Sequence, residues 1–297
     1  MATGSVKPGI YAASMSCFNQ DLSLNIDSTI LHAEKLVKNG CHGVAIFGST
    51  GAGQLISKKE KEKLIERINN SQFKDNFLIG TSDNSLNETV DLMKHSIING
   101  INRFLIMPPA YYKYGDDQAY AFFSNIIQRI PECEIILYNF FKLSGYEFSP
   151  KVVEKLVKDF PQQIVGVKDS SYNLYEVLKI PNFLIFPGSE TKLLKGLKLG
   201  CAGIISAICN VTAPLARKVY DSFHKKEKQI HNERLCAIRS VFDKNNLISG
   251  LYSFMAIEDE KFKFILPPLN LLTHSQEKKM ILELKALDFY PEKNIAA

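Results

Sequence analysis

Residues 164–171 read Ile164-Val165-Gly166-Val167-Lys168-Asp169-Ser170-Ser171. A short apolar run bounded by polar residues has the length of a buried strand. This one ends on a lysine, Lys168. Upstream, similar runs fall at 9–16, 43–47, 77–79, 103–107 and 134–138. Downstream they fall at 183–186 and 203–206. Helical patterns separate them. Asp27 reads as an N-cap, and its helix ends at Asn39-Gly40. Ser57 with Glu60, and Ser85 with Glu88, read as capping boxes. A helix covers 117–130, and Ser149-Pro150 gives an N-cap followed by proline at the first helical position. A short helix is expected over 174–179, another ends at Leu199-Gly200, and one begins after Thr212-Ala213-Pro214.

Eight strand-then-helix units without an antiparallel pair imply a parallel sheet covered by helices. Eight units close naturally into a (β/α)8 TIM barrel, an α/β fold. A doubly wound open sheet fits less well, because no Gly-x-Gly-x-x-Gly opens a helix with an acidic residue ~20 positions on. We assign residues 1–225 to the barrel and 226–297 to a C-terminal helical extension, broken at Leu266-Pro267-Pro268.

The chain has 297 residues, 45% hydrophobic and 23% charged, enough apolar material for a large core. Its net charge of +5 is spread over many helices, so no nucleic-acid arm is expected. The six cysteines form no Cys-x-x-Cys pair and read as reduced thiols. The six histidines show no metal-ligand spacing, so no metal is expected. No run approaches the ~20 apolar residues of a membrane span, and a cytoplasmic protein is expected.

Barrel active sites gather at the C-terminal ends of the strands. Those ends deliver Ser49 and Thr50, Tyr111 and Tyr112, Tyr138, Lys168, Gly188-Ser189-Glu190, and Ile205-Ser206. The set is rich in hydroxyls and holds one amine. A desolvated lysine can be neutral, add to a ketone and form a Schiff base. Taken alone, Lys168 reads more simply as an amine reaching solvent or pairing with Asp169. Tyr138 ends the adjacent strand, where a phenol can shuttle protons with help from Ser49 and Tyr111. Gly48-Ser49-Thr50-Gly51-Ala52-Gly53 joins a strand to a helix and suits a carboxylate. It also reads as a tight turn.

Together these motifs resemble the dihydrodipicolinate synthase / N-acetylneuraminate lyase family of pyruvate-dependent class I aldolases, over nearly the whole chain. Gly48-Ser49-Thr50-Gly51 is similar to the family's loop for the keto-acid carboxylate. Tyr138-Asn139 resembles the motif of its general acid/base. Gly166-Val167-Lys168-Asp169-Ser170 resembles its Schiff-base lysine motif. Pro109-Ala110-Tyr111-Tyr112 resembles a segment whose tyrosine enters a neighbouring subunit's site, a role that falls to Tyr111, with Tyr112 as fallback. Gly203-Ile204-Ile205-Ser206 resembles the back of the pocket. The resemblance implies a substrate-bound Schiff base on Lys168 without further cofactor, and a homotetramer built as a dimer of dimers.

Departures bear on the substrate. The dihydrodipicolinate synthases carry an arginine five residues after the tyrosine, where this chain has Leu143. Leu143-Ser144-Gly145 looks like the sialic-acid lyases. Gly188-Ser189-Glu190-Thr191 lacks their second acidic residue and looks closer to the 2-keto-3-deoxy-sugar-acid aldolases. Phe140-Phe141 departs from all three. We therefore expect a lyase or aldolase that forms or cleaves a 2-oxo acid from pyruvate and an aldehyde. Lys168, Tyr138, Tyr111 and Ser49 are expected to be catalytic. Ser49, Thr50, Gly188, Ser189, Glu190, Ile205, Ser206 and Leu143 are expected against substrate. The alternatives are dihydrodipicolinate synthase itself and a non-catalytic 2-oxo-acid binding protein.

Overall fold

The computed structural model describes residues 5–290. Residues 1–4 and 291–297, the outer ends of the two expected segments, lie outside the described residues. Eight parallel strands form one sheet: β1 (Gly9–Ala13), β2 (Gly43–Ile46), β3 (Phe77–Gly80), β4 (Arg103–Ile106), β5 (Glu134–Asn139), β6 (Ile164–Asp169), β7 (Leu184–Pro187) and β8 (Gly203–Ser206). The spatial order β7-β6-β5-β4-β3-β2-β1-β8 brings the last two strands together at the seam. Ala202 there donates its amide to Ile185 O at 2.9 Å, so the barrel is nearly closed.

Helices α1 (Ile26–Lys38), α2 (Lys58–Ile68), α3 (Leu86–Ile98), α4 (Asp116–Arg129), α5 (Phe141–Ser144), α6 (Pro150–Asp159), α7 (Leu193–Lys198) and α8 (Cys209–His224) lie between or after the strands. Three more follow: α9 (Asn232–Asp243), α10 (Leu247–Ala256) and α11 (His274–Lys285). Among the described residues no helix is long and apolar enough to cross a membrane.

The strand side chains alternate between two cores. Tyr11, Ala45, Leu78, Leu105, Ile136 and Ile205 fill the barrel interior. Ile10, Val44, Ile79, Phe104, Leu137 and Ile204 face the helix layer. The run 164–171 obeys the same alternation. Val167 joins the outer core, and Lys168 pairs in register with Tyr138 on one side and Phe186 on the other. The period of two therefore aims Lys168 into the barrel.

Three local expectations need correction. The first helix is capped by Asn25, whose Oδ1 accepts from Ser28 N at 3.0 Å. Asp27 lies in its first turn and pairs with Arg67. α8 begins at Cys209 and carries Pro214 within its second turn, where the missing N–H leaves the Asn210 carbonyl without its helical donor. The loop after Tyr138 contains the helical turn α5, ended by Gly145 at φ 73°. Residues 174–179 are not a helix but a single turn. The Asp169 carboxylate accepts the amides of Tyr172, Leu174 and Tyr175, and Pro181 blocks continuation.

Asn210, at the start of α8, ties this helix to the top of β1. It accepts from Met15 N at 3.0 Å and donates to Ala13 O at 2.8 Å. The same Oδ1 lies 2.8 Å from His32 Nε2, so that nitrogen carries the proton. Burial pushes the His32 imidazole down to about 4. The unfolded chain then binds a proton near pH 6.5 that the folded chain refuses, and stability is lost as pH falls from 6.5 toward 4.

Between pH 7 and 5, the urea-unfolding free energy should fall by about 2 kcal/mol more in the wild type than in His32→Gln; parallel losses contradict the assignment. A Cβ on Gly53 would stand 1.8 Å from Phe47 O. Gly53→Ala should therefore cost about 2 kcal/mol and lower the thermal midpoint by roughly 3 °C; an unchanged midpoint contradicts the tight packing of this loop.

Candidate active site

The loop between β2 and α2 is tightly wound. Gly51 and Gly53 both donate to Gly48 O, and Ala52 donates to Ser49 O. Ala52 sits at φ 54°. The amides of Ser49 and Thr50 donate to no described residue. Together with the two hydroxyls they form a ready donor set for an anion. Ser49 Oγ lies 3.1 Å from Tyr138 Oη, within hydrogen-bond distance.

Lys168 is 3% exposed and Tyr138 4%. Lys168 Nζ stands 4.0 Å from the centroid of the Tyr138 ring. Phe140 stacks on the same ring, with centroids 6.0 Å apart. The amine is thus held against an aromatic face inside the barrel. Among the described residues it has no carboxylate partner.

Asp169 does not pair with Lys168. Strand alternation turns it to the opposite side, where it is fully buried and also accepts from Asn139 Nδ2 at 2.9 Å. Asn139 donates in addition to Asn173 Oδ1 and accepts from Phe148 N. This network fastens β5 to β6 one residue beyond Tyr138 and Lys168, so the register that brings the two together is fixed at their own level.

The cavity above Lys168 has a volume of about 670 Å³. Ser49, Thr50, Tyr138, Leu143, Lys168 and Gly188 all line it. A second cavity of about 280 Å³ shares Ser49, Tyr138 and Leu143 and is otherwise mostly apolar, with Phe47, Leu105 and Met107 in its wall.

Other expected site residues lie elsewhere. Ile205 faces the barrel core, beneath the cavity. Ser189 caps the turn after β7, accepting from Thr191 N. Glu190 is fully buried and accepts from Ser206 Oγ at 2.7 Å and from Arg239 Nη1 at 2.9 Å. Neither Glu190 nor Ser206 lines the cavity; their side chains meet behind its wall. Tyr111 is 88% exposed, at φ 82°, edge-on to Tyr112, and lines neither cavity of its own chain.

The sequence reading missed the far wall, which comes from α9, α10 and the loop between them. Arg239, Asp243, Asn245, Asn246 and Ile248 line the same cavity as Lys168. The pocket therefore includes residues beyond 225. A signal for Arg239 was present. Leu235, Ile238, Arg239 and Phe242 fall at i, i+3, i+4 and i+7, so a cation occupies the apolar stripe of α9. Burial alone pulls Arg239 down, but Glu190 and Asp243 outweigh it and hold its pKa above the usual guanidinium value. Tyr172, also in the wall, has its phenol pushed up by burial.

Comparison with known proteins agrees with this geometry. The profile of the dihydrodipicolinate synthetase family matches residues 7–287. A 4-hydroxy-tetrahydrodipicolinate synthase of Listeria monocytogenes is 31% identical over 222 residues, 71% of this chain and 75% of that protein. One from Thermus thermophilus is 27% identical over 276 residues, 89% of this chain and 91% of its own length. An uncharacterized DapA-like lyase of Chloroflexus aurantiacus is 28% identical over 247 residues, 80% of this chain and 82% of that protein. Among solved structures, YagE of E. coli K12, a prophage protein of the dihydrodipicolinic acid synthase family in complex with pyruvate, superimposes with a TM-score of 0.87. It is 21% identical, with 96% of this chain and 100% of that chain covered. The eight-stranded barrel and a profile match along nearly its whole length make this chain a lyase of the dihydrodipicolinate synthetase family.

Proposed function

We propose that the chain is a class I aldolase or lyase that cleaves, or forms, a 2-oxo acid with pyruvate and an aldehyde as the two halves. The observation that carries this reading is the Lys168 amine, buried and without a carboxylate partner among the described residues, against the Tyr138 ring. The Tyr138 hydroxyl reaches Ser49. Lyases of this family carry pyruvate as a Schiff base on a lysine and need no added cofactor.

In the cleavage direction the Lys168 amine adds to the C2 carbonyl, and water leaves as the iminium forms. The Ser49 and Thr50 amides and hydroxyls bind the C1 carboxylate. Tyr138 takes the proton of the C4 hydroxyl, the C3–C4 bond breaks, and its electrons pass into the iminium to give an enamine. The aldehyde departs. Protonation at C3 and hydrolysis of the iminium by water return pyruvate and the free amine. The hydrogen bond between Ser49 Oγ and Tyr138 Oη offers a relay for this proton.

The exposed Tyr111 fits a role outside its own subunit. In this reading the enzyme is a cytoplasmic homotetramer, a dimer of dimers, and Tyr111 completes the relay in a neighbouring site. Among substrates, the reading favours 2-keto-3-deoxy sugar acids or sialic-acid-like 2-oxo acids over aspartate semialdehyde. Leu143 stands where a synthase would hold an arginine, and a leucine cannot grip a carboxylate. The names of several relatives support 4-hydroxy-tetrahydrodipicolinate synthase as a second reading.

The test is turnover on a panel of 2-oxo-3-deoxy sugar acids beside pyruvate plus aspartate semialdehyde. Pyruvate release from the first group and no condensation with the semialdehyde is expected; the reverse establishes the second reading. Tyr138→Phe should lower kcat by about 10²–10⁴, and a loss below threefold removes the phenol from the proton path. Lys168→Ala and Tyr111→Phe should each be impaired alone, yet hybrid oligomers refolded from a mixture should regain activity. Such a site pairs an intact Lys168 with a neighbour's intact Tyr111, and absence of recovery confines Tyr111 to its own chain.

A further inference from the structure

We infer that Arg239 is the group that recognises the substrate beyond C4, and that the tail it accepts is hydroxylated and uncharged. This rests on the reading of the cavity as a 2-oxo-acid site. Arg239 is 6% exposed and lines the same cavity as Lys168, from the opposite wall. Its guanidinium is held in one orientation. Nη1 donates to Glu190 Oε2 at 2.9 Å and to Ser206 Oγ at 3.1 Å, while Nε donates to Asp243 Oδ1 at 2.8 Å. Nη2 has no acceptor among the described residues. A guanidinium keeps all five N–H donors at any working pH, so two remain for a molecule in the cavity.

The anchoring explains why Glu190 is fully buried. It does not touch substrate; it sets the plane of the Arg239 fork, and Ser206 Oγ accepts the second Nη1 hydrogen. Asp243 completes the clamp from the other edge and itself lines the cavity. A fork fixed in this way loses little freedom when it binds, which is the advantage of arginine over lysine here.

Charge decides the kind of tail. Two carboxylates, Glu190 and Asp243, stand against one guanidinium. Lys142 and Glu147, also in the wall, contribute one charge of each sign. Lys168 is committed to the carbonyl end. A phosphate or second carboxylate at the far end would meet a cluster whose positive charge is already more than matched, and like charges are costly there. A hydroxyl oxygen meets two N–H donors without that penalty. Asn245 and Asn246 adjoin this wall, and the Asn246 side-chain N–H groups donate to no described residue. Carboxamides next to a guanidinium form a surface suited to several hydroxyls.

The experiment uses the wild type, Arg239→Lys and Asp243→Asn with three substrates. These are 2-oxo-3-deoxyhexonate, its 6-phosphate, and tail-less 4-hydroxy-2-oxobutanoate, each read by pyruvate release. Every kcat/KM is divided by that of the tail-less acid for the same variant, which cancels differences in the amount of folded enzyme. The wild type should prefer the neutral hexonate over its phosphate by at least tenfold. Arg239→Lys should lower the hexonate ratio at least tenfold, and Asp243→Asn, on a half-exposed side chain, should narrow the preference at least threefold. A wild-type preference for the phosphate, or a hexonate ratio unmoved in Arg239→Lys, overturns the inference. No pyruvate from any of the three with the wild type overturns the underlying reading instead.

Discussion

The structure turns on one register. Tyr138 on β5 lies opposite Lys168 on β6, and Lys168 lies opposite Phe186 on β7. In a barrel, alternate residues of a strand face the interior, and a slip of one position would reverse every side chain. The inward set at the top of these strands would then be Asn139 and Asp169 instead of a phenol and an amine. Those two polar residues instead meet on the outer side and bond to one another at 2.9 Å. Asp169 takes three further loop amides. Removing any partner would leave a buried carboxylate short of donors, at a cost of about 1–3 kcal/mol or more. The network that locks the register is therefore made of the residues that directly follow Tyr138 and Lys168.

Much of this was legible in the sequence. Eight apolar runs alternating with capped helices carry their own periodicity, and the strand ends fall within a few residues of expectation. The Lys168, Tyr138 and Ser49-Thr50 group was readable because each closes or follows a buried strand, and barrel topology brings such ends to one rim. The turn at 174–179 was not readable, because a carboxylate from the preceding strand takes amides that a helix would start from. The role of Glu190 escaped for a related reason. A carboxylate in a βα loop looks like a substrate ligand until its partner is known, and that partner, Arg239, is 49 residues away. Contacts across that distance leave no local pattern. The only trace was a cation in the apolar stripe of α9.

The helices after His224 are therefore more than a covering layer. α9 and the turn into α10 build the far wall of the cavity, while the barrel strands build its floor and reactive edge. The strand ends hold the Ser49-Thr50 loop, the phenol and the amine. Leu143, Arg239, Asp243 and Asn246 line the same cavity from α5, α9 and the turn into α10.

The account depends most on the claim that Lys168 forms an iminium with a 2-oxo acid. Incubation with pyruvate and borohydride, followed by proteolysis and mass mapping, tests it directly. The expected result is a single stable adduct on the peptide containing Lys168, absent from Lys168→Ala and absent without pyruvate. A protein that remains unlabelled, or is labelled equally in Lys168→Ala, contradicts it.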